Sequence, residues 1–304
     1  MKNSQYFKQA ELLLRILPII NRESIFALKG GTAINFFVRD MPRLSVDIDL
    51  AYIPVNGRAE ALQDISKSLL RIQENILKLI PDVRSQSKTV DGLEVGLIIN
   101  GRQTTVKIEP NTTIRGTVFP TTEYKLCRKG QELFELSVNA RSLVKEELYA
   151  GKICAALDRQ HPRDIYDVKL LFENEGITEL TRKAFIIYLI SHNRPINELL
   201  NPNILDISVL FEQEFKGMVN EPIELSELLS VREKLFMEIK NMLTDSERQF
   251  LLSFKSLKPK WNLLDIPEIQ NLPAVKWKLL NLKKMDPKRH SESVLKLEKT
   301  LLNS

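Results

Sequence analysis

Two aspartates, Asp47 and Asp49, flank Ile48 in a segment that alternates between apolar and polar residues. Because a strand repeats every two residues, both carboxylates point to one face, with β-carbons about 7 Å apart. Paired carboxylates of this kind bind a hard divalent cation such as Mg²⁺. The competing interpretation is two solvated acids on the wet face of an edge strand, and the pair taken alone favours it.

A glycine pair precedes these aspartates, in the run Lys29-Gly30-Gly31-Thr32 between an apolar strand and a short helix. Glycine lets the backbone approach a ligand closely, and the free N–H groups at the start of a helix attract anions. The Thr32 hydroxyl could cap the helix or bond a phosphate. The run is therefore a candidate phosphate-binding loop, although a Gly-Gly turn is more often only a turn.

Further charged residues follow along the chain. Glu109 ends the alternating segment Thr105–Glu109 and is either a third carboxylate for a two-ion site or a solvated strand-end acid. A later set shares the faces of two successive helices broken at His161-Pro162: Lys152 and Arg159 on the first, Asp164 and Asp167 on the second. A lysine facing a triphosphate neutralises charge on the leaving group. The alternative is a salt-bridge set that holds the two helices together.

The hydrophobic periodicity predicts the elements that position these residues. Helices are expected at 5–20, 32–38 and 59–79, with strands at 24–28 and 44–52. A hairpin is expected at 93–99 and 102–109, joined by Asn100-Gly101, and strand-like segments at 114–118 and 132–138. From about residue 141 the period is helical, with helices predicted at 141–160, 164–172, 180–200, 205–217, 223–242, 244–256, 276–282 and 291–302. The chemistry places Lys152 with the earlier residues, so we predict domains at 1–175 and 176–304.

Composition narrows the class of protein. With 304 residues, 43% hydrophobic and 27% charged, the chain is too apolar for disorder. Its apolar runs are far shorter than a membrane span, and residues 1–11 lack a signal-peptide pattern. Two cysteines, Cys127 and Cys154, suit a reducing compartment, and with only three histidines a structural zinc site is nearly excluded. We therefore expect a cytoplasmic protein without a membrane partner.

The end of the chain is basic. Residues 251–304 hold 11 Lys and Arg against five Asp and Glu, an excess larger than the net charge of +5 for the whole chain. This asymmetry indicates a polyanion partner, or a helical tail whose lysines face water. Trp261 and Trp277 lie among these lysines and either stack on bases or, as we favour, belong to the core.

The order of these signals resembles the layout of polymerase-β-like nucleotidyltransferases. Two blocks narrow the resemblance to the AbiEii-like toxins of abortive-infection, type IV toxin–antitoxin systems, the group that includes the MenT toxins. The first block joins residues 28–33 with 43–50, and the second joins 152–159 with 163–168. The resemblance covers roughly residues 25–175. It implies an α/β (α+β) fold, in which a polymerase-β-like nucleotidyltransferase core with a mixed sheet is followed by a helical C-terminal domain.

The resemblance also implies roles for named residues. Mg²⁺ would be held by Asp47 and Asp49. Glu109 is a further candidate ligand from its place on a neighbouring strand, since the resemblance does not align it. The candidate catalytic residues are these two aspartates together with Lys152, Asp164 and Asp167. The candidate nucleotide-binding residues are Lys29, Gly30, Gly31, Thr32, Ser45 and Arg159. The Ser45 hydroxyl, on the same strand face as the aspartates, could reach the nucleotide or accept a phosphoryl group.

The implied activity is transfer of a nucleotide from a nucleoside triphosphate, with release of pyrophosphate, to an RNA acceptor such as the tRNA 3′ end. Growth arrest would follow. A cognate antitoxin is the implied partner and need not form a stable complex. Two alternatives stay open: a nucleotidyltransferase that modifies a small hydroxyl-bearing molecule, and a catalytically silent nucleotide-binding or interaction protein.

Overall fold

The computed structural model describes residues 5–302 and divides the chain into two compact units. The first unit ends at Leu148 and also contains Gly217–Pro222, whereas the second comprises Tyr149–Lys216 and the chain from Ile223 onward. The predicted domain limit at residue 175 was chosen to keep Lys152 with the earlier candidate residues, on chemical grounds and not on packing. As a functional division, this limit stays a prediction. The outer ends of the predicted domains, residues 1–4 and 303–304, lie outside the described residues.

The first unit is built around one seven-stranded mixed sheet with strand order β3-β4-β5-β2-β1-β7-β6. The β2–β5 and β1–β7 pairs are parallel and the other pairs are antiparallel. Its elements are α1 Gln5–Ile20, β1 Phe26–Lys29, α2 Gly30–Ala33, β2 Asp47–Tyr52, α3 Arg58–Leu79, β3 Arg84–Val90, β4 Leu93–Asn100, β5 Thr105–Asn111, β6 Thr122–Lys125, α4 Arg128–Phe134, β7 Asn139–Ser142 and the start of α5 Lys145–Asp158. The mixed sheet confirms the predicted fold class.

One face of the sheet is the core of this unit. Ile48 and Leu50 of β2 are buried and share that face with Ile108 of β5, which lies in register with Ile48. Helices α1 and α3 contact each other and the sheet, and α3 buries a stripe that recurs every three or four residues. The buried residues of that stripe are Ala61, Ile65, Leu69, Ile72 and Ile76. Burial of alternate β2 residues leaves the aspartates on the opposite face.

Strand β2 begins at Asp47 rather than at residue 44 as predicted, because the preceding residues pair elsewhere. Arg43 bridges to Val219, and the Leu44 N–H donates to the Met218 carbonyl over 2.8 Å. The Asn220 N–H donates to the Pro42 carbonyl over 3.0 Å. We call Gly217–Pro222 the strap, since this segment, far along the chain, fixes the residues that lead into the aspartate pair.

Some local predictions were wrong. Residues 114–118 form no strand, and 132–138 hold the end of α4 and a loop. The strands of this region are β6, which precedes α4 in the chain, and β7, which follows it. The hairpin connection is 101–104 rather than Asn100-Gly101, since Asn100 still pairs with Thr105. Strand β3 was not predicted because it is an exposed edge strand of mostly polar residues, which carries little hydrophobic alternation.

The second unit is helical, as predicted. It contains the rest of α5, followed by α6 Pro162–Asn174, α7 Glu179–Ser191, α8 Ile196–Leu200, α9 Ser208–Leu210, α10 Leu225–Asn241, α11 Asp245–Lys255, α12 Pro273–Lys283 and α13 Pro287–Leu302. The helix predicted at 141–160 begins only at Lys145, after β7, and the helix predicted at 180–200 is divided into two. Trp261 packs against Phe250 and Phe254, in keeping with the core interpretation, whereas Trp277 is exposed. Within residues 5–302, none of the helices combines the length and the apolar character that crossing a membrane requires.

Candidate active site

The glycine pair lies against the aspartate strand. Gly30 has a φ of +73°, and a β-carbon built on it would overlap the Asp49 carboxylate oxygen Oδ2. A β-carbon at Gly31 would lie 2.7 Å from Arg43 Nη2 and 3.1 Å from Ser45 Oγ. Glycine is therefore required here both for the backbone conformation and for the close approach of three side chains. The predicted loop and the predicted acids form one site.

Thr32 joins the same loop to the start of β2. Its buried hydroxyl donates to the Asp47 carbonyl oxygen over 2.6 Å and lies 3.0 Å from Ser45 Oγ. Thr32 thus fixes the backbone that presents Asp47. Its direct contact with phosphate stays a prediction, as does the nucleotide contact of Ser45.

Charged side chains share the open face of the sheet around Asp47 and Asp49. Strand register sets Lys29 opposite Asp49 across the antiparallel β1–β2 pair. Across the parallel β2–β5 pair, Lys107 lies beside Asp47 and Glu109 beside Asp49. Cross-strand neighbours project from the same face, so two lysines flank the two aspartates. Both aspartates are half-buried, which leaves their carboxylates accessible to a ligand.

Glu109 does not complete a three-carboxylate cluster, although it lies beside Asp49 in the register. Its carboxylate pairs with Lys88 at 3.7 Å, and its side chain is 47% exposed. Lys88 lies opposite Gly96 of the neighbouring strand β4. A side chain at position 96 would contact the Lys88 side chain and the Ile108 carbonyl oxygen, so glycine leaves room for Lys88 there. Across residues 5–302, no group of three or more His, Cys, Asp or Glu side chains is arranged to hold a metal ion.

The donor set of Asp47 and Asp49 nevertheless fits magnesium. Mg²⁺ prefers carboxylate oxygens and in nucleotide enzymes is held by one or two protein carboxylates, with phosphates and water as the other ligands. Two aspartates projecting from one strand face supply that number. A third protein carboxylate is not needed for such an ion.

Arg43 is a candidate that the residue patterns did not single out. Its side chain is buried, its Nη1 donates to the Leu44 carbonyl over 2.9 Å, and its Nη2 faces Gly31. The strap holds its backbone through the Val219 bridge. A guanidinium beside the glycine pair adds positive charge there, which favours an anionic ligand. Its position between Gly31 and Ser45 depends on tertiary structure, and the sequence signal was only its nearness to the aspartates.

The second set of candidates forms a buried ion cluster in the helical unit. Lys152 Nζ lies 2.8 Å from Asp164 Oδ1 and 3.0 Å from Asp167 Oδ2. Arg159 Nε lies 2.5 Å from Asp164 Oδ2. The side chains of Lys152, Asp164 and Asp167 are 7%, 1% and 0% exposed, whereas that of Arg159 is 62% exposed. The four residues predicted to share two helix faces therefore do meet.

Neighbouring cations stabilise the charged form of Asp164. Burial alone would raise the pKa of Asp164, but the charge of Lys152 and the hydrogen bond from Arg159 outweigh it and hold the pKa well below its ordinary value. Two cations and two carboxylates leave the cluster neutral, as a buried set requires. The predicted salt-bridge set between helices is thus present, and the catalytic roles of its members stay predictions.

The turn before α6 positions the two acids of this cluster. His161 caps the helix, with Nδ1 accepting from the Arg163 N–H over 3.1 Å, and Pro162 occupies the first turn as predicted. Because Nδ1 accepts, Nε2 carries the hydrogen and donates to Glu214 Oε2 over 3.1 Å. Burial lowers the pKa of His161 despite the opposing effect of Glu214. A neutral imidazole at this cap fixes the start of the helix that carries Asp164.

Comparisons with known proteins identify a family and a solved structure of similar fold. A family model described as "Nucleotidyl transferase AbiEii toxin, Type IV TA system" matches residues 11–280. The solved structure of MenT4, a nucleotidyltransferase toxin from Mycobacterium tuberculosis H37Rv, superposes with a TM-score of 0.61 at 15% sequence identity. That match covers 91% of this chain and 93% of MenT4, and at such identity it shows a shared fold. No curated protein matches the chain.

Proposed function

The chain belongs to the AbiEii nucleotidyltransferase toxins of type IV toxin–antitoxin systems, and from this premise we propose that it transfers a nucleotide from a nucleoside triphosphate to RNA. The tRNA 3′ end is the first candidate acceptor. The observation that carries the proposal is the close approach of Gly30 and Gly31 to Asp49, Arg43 and Ser45. This contact joins a loop suited to phosphate with a strand suited to a divalent cation.

The proposed reaction is an in-line substitution. The oxygen of an acceptor hydroxyl bonds to the α-phosphorus, the α–β bridging P–O bond breaks, and pyrophosphate leaves. The hydroxyl proton passes to water or to a carboxylate of the aspartate pair. Because the bonds exchanged are similar, the protein contributes mainly orientation and charge stabilisation.

Each residue of the site has a proposed part in that orientation. Asp47 and Asp49 would hold Mg²⁺, which when bound supplies charge neutralisation for the triphosphate. The N–H groups around Gly31 and the guanidinium of Arg43 bind phosphate oxygens. Thr32 holds the Asp47 backbone in place. The catalytic part that the resemblance implies for Lys152 stays a separate proposal, because Asp164 and Asp167 pair with its charge in the helical unit.

A transfer assay tests this proposal. The full chain is incubated with Mg²⁺, total bacterial tRNA and each α-labelled nucleoside triphosphate in turn. We expect label to enter RNA with the wild-type chain and not with Asp47→Asn. The matched control is Asp82→Asn, since Asp82 is exposed and its positive φ suits asparagine.

Three results would overturn the proposal. Label transfer by a well-folded Asp47→Asn chain would remove the aspartate pair from the chemistry. If no label enters RNA but the nucleotide binds in a Mg²⁺-dependent way, a small hydroxyl-bearing acceptor is favoured. Absence of nucleotide binding would favour the catalytically silent alternative.

A toxin of this class implies a cognate antitoxin. We expect the two proteins to act without a stable complex, as the resemblance implies. Co-expression followed by size-exclusion chromatography checks this, since a free toxin elutes at the position of the chain purified alone. Co-elution at a larger size would contradict it.

A further inference from the structure

A polar pocket of about 270 Å³ lies within the helical unit, where α8 and α13 are in contact. Arg194 and Asn197 line it from the start of α8, and Lys296 and Lys299 line it from α13. Asn201 and Asn203 follow α8 and close another side. None of these residues belongs to the two clusters described above, so the pocket is separate from the groups assigned to chemistry.

Positive charge predominates around this pocket. Lys296 and Lys299 are three apart, so they share one face of α13, and both are exposed. Neither forms an ion pair with any residue of the described range 5–302. Glu198 is the single carboxylate of the lining, while Arg194 is paired with Asp158 at 2.8 Å. The two lysines are therefore available to an external anion.

A further cation approaches from α10. Lys240 Nζ donates to Asn201 Oδ1 over 2.8 Å, which fixes the side chain of that asparagine at the pocket. The backbone near it is also fixed, because Gln160 Nε2 donates to the Asn203 carbonyl over 2.6 Å. The loop after α8 is thus held in place by Lys240 of α10 and by Gln160 of the turn between α5 and α6. A loop held in this way presents its amides in a defined arrangement.

The lining determines which ligand fits. Asparagine amides both donate and accept hydrogen bonds, which suits ribose hydroxyls and the edges of bases. Aromatic and large apolar side chains, which dominate protein interfaces and small-molecule pockets, are missing from the lining. Ligand pockets for free small molecules usually exceed about 300 Å³, so this one suits one nucleotide of a longer strand.

We infer that this pocket binds the RNA acceptor, with a phosphate on Lys296 and Lys299 and the neighbouring ribose or base on Asn197 and Asn203. This inference rests on the proposed function, since it names where the RNA acceptor is held. The inference also assigns the basic end of the chain a specific contact with RNA, where the charge alone indicated only a general attraction to polyanions. Counterion release then makes the affinity depend on salt concentration.

The test compares charge reversal inside and outside the pocket in the full chain. Lys296→Glu/Lys299→Glu removes the proposed phosphate contact. Lys288→Glu/Arg289→Glu makes the same change in net charge on exposed residues of the same helix, about two turns away. Lys296→Arg/Lys299→Arg keeps the charge and serves as the rescue variant. Circular dichroism establishes that each variant is folded.

Fluorescence anisotropy with labelled total tRNA measures binding at several salt concentrations. We expect the pocket variant to weaken the Kd at least tenfold and to lower the slope of log K against log salt by about 2. The Lys288→Glu/Arg289→Glu variant should change the Kd far less, and the Lys296→Arg/Lys299→Arg variant should bind like wild type. Asn197→Ala/Asn203→Ala should weaken binding with the salt slope unchanged. If Lys296→Glu/Lys299→Glu and Lys288→Glu/Arg289→Glu weaken tRNA binding equally, the inference is overturned.

Kinetics separate this inference from the proposed function. If the chain labels tRNA, the pocket variant should raise the KM for tRNA about tenfold and leave the KM for the nucleotide unchanged. An unchanged KM for tRNA would overturn the pocket while the proposed function holds. If wild type labels no RNA and yet the pocket variant alone loses tRNA binding, the pocket holds and the proposed transfer fails.

Discussion

The carboxylate of Asp49 lies so close to the α-carbon of Gly30 that no side chain fits between them. Gly30 also has a φ of +73°, a conformation that residues with a β-carbon rarely adopt. The phosphate-loop candidate and the metal-ligand candidate therefore constrain each other. Several expected outcomes depend on this contact and on those around it.

Gly30→Ala should lower transfer activity at least tenfold, because the new methyl group displaces the Asp49 carboxylate. The positive φ adds a strain of about 1–3 kcal/mol, which chemical denaturation measures. Gly176→Ala is the matched control, since Gly176 has a φ of +69° with open space around it. It should show the strain without the loss of activity. Equal activity losses in both variants would contradict the role of the Asp49 contact.

Thr32→Val should lower kcat, because valine removes the hydroxyl that donates to the Asp47 carbonyl. The buried carbonyl then lacks its donor, at a cost of about 1–3 kcal/mol in the free energy of unfolding. Thr32→Ser keeps the hydroxyl and should retain most of the activity. Steady-state kinetics and urea unfolding of both variants check this. If serine and valine lower kcat alike, the hydrogen bond is not what positions Asp47.

Lys152→Met should destabilise the protein by about 3–5 kcal/mol, since it leaves Asp164 and Asp167 buried without their shared cation. Adding Asp167→Asn should restore part of that loss, because it removes one of the stranded charges. Urea unfolding of the single and double variants measures both effects. A Lys152→Met chain that is inactive and as stable as wild type would show that Lys152 serves catalysis alone.

The stability of the protein should fall in acid because of Asp164. Its pKa is lowered in the folded state, as Lys152 and Arg159 outweigh the effect of burial. Between the folded and unfolded pKa values the unfolded chain binds more protons, so the contribution is complete above about pH 4 and is lost below it. Asp164→Asn should flatten this acid limb of the free energy of unfolding. If the slope of the acid limb is unchanged in Asp164→Asn, other carboxylates cause the loss of stability in acid.

Asn220→Ala should lower kcat more than it lowers stability, because the strap positions the residues that lead to the aspartates. The Asn220 side chain donates to the Met41 carbonyl, and its backbone holds Pro42. Glu221→Ala, at the exposed neighbouring residue, is the matched control and should leave kcat unchanged. The KM for the nucleotide and the melting temperature complete the comparison. A Glu221→Ala effect as large as that of Asn220→Ala would point to the strap as a whole.

Local patterns predicted the elements whose signals lie in neighbouring residues. The alternation around Asp47 and Asp49 predicted strand β2 and the face on which its aspartates lie. The apolar stripe of α3 predicted the helix that packs on the sheet. The His161-Pro162 break predicted both helices of the ion cluster, since a proline in the first turn and helical spacing act over a few residues. The cluster of Lys152 with Asp164 and Asp167 followed from the same short-range geometry.

Tertiary structure alone decided the contacts between distant segments. The strap pairs with residues 41–44 from more than 170 positions away, and hydrogen bonds between backbone groups leave no residue pattern to detect. The direction of the Glu109 side chain depends on Lys88, two strands away. The buried place of Arg43 at Gly31 likewise depends on packing. Residue types and their spacing specify which groups could do chemistry, because spacing acts locally. The fold specifies which of these groups meet, because register and packing act across the whole chain.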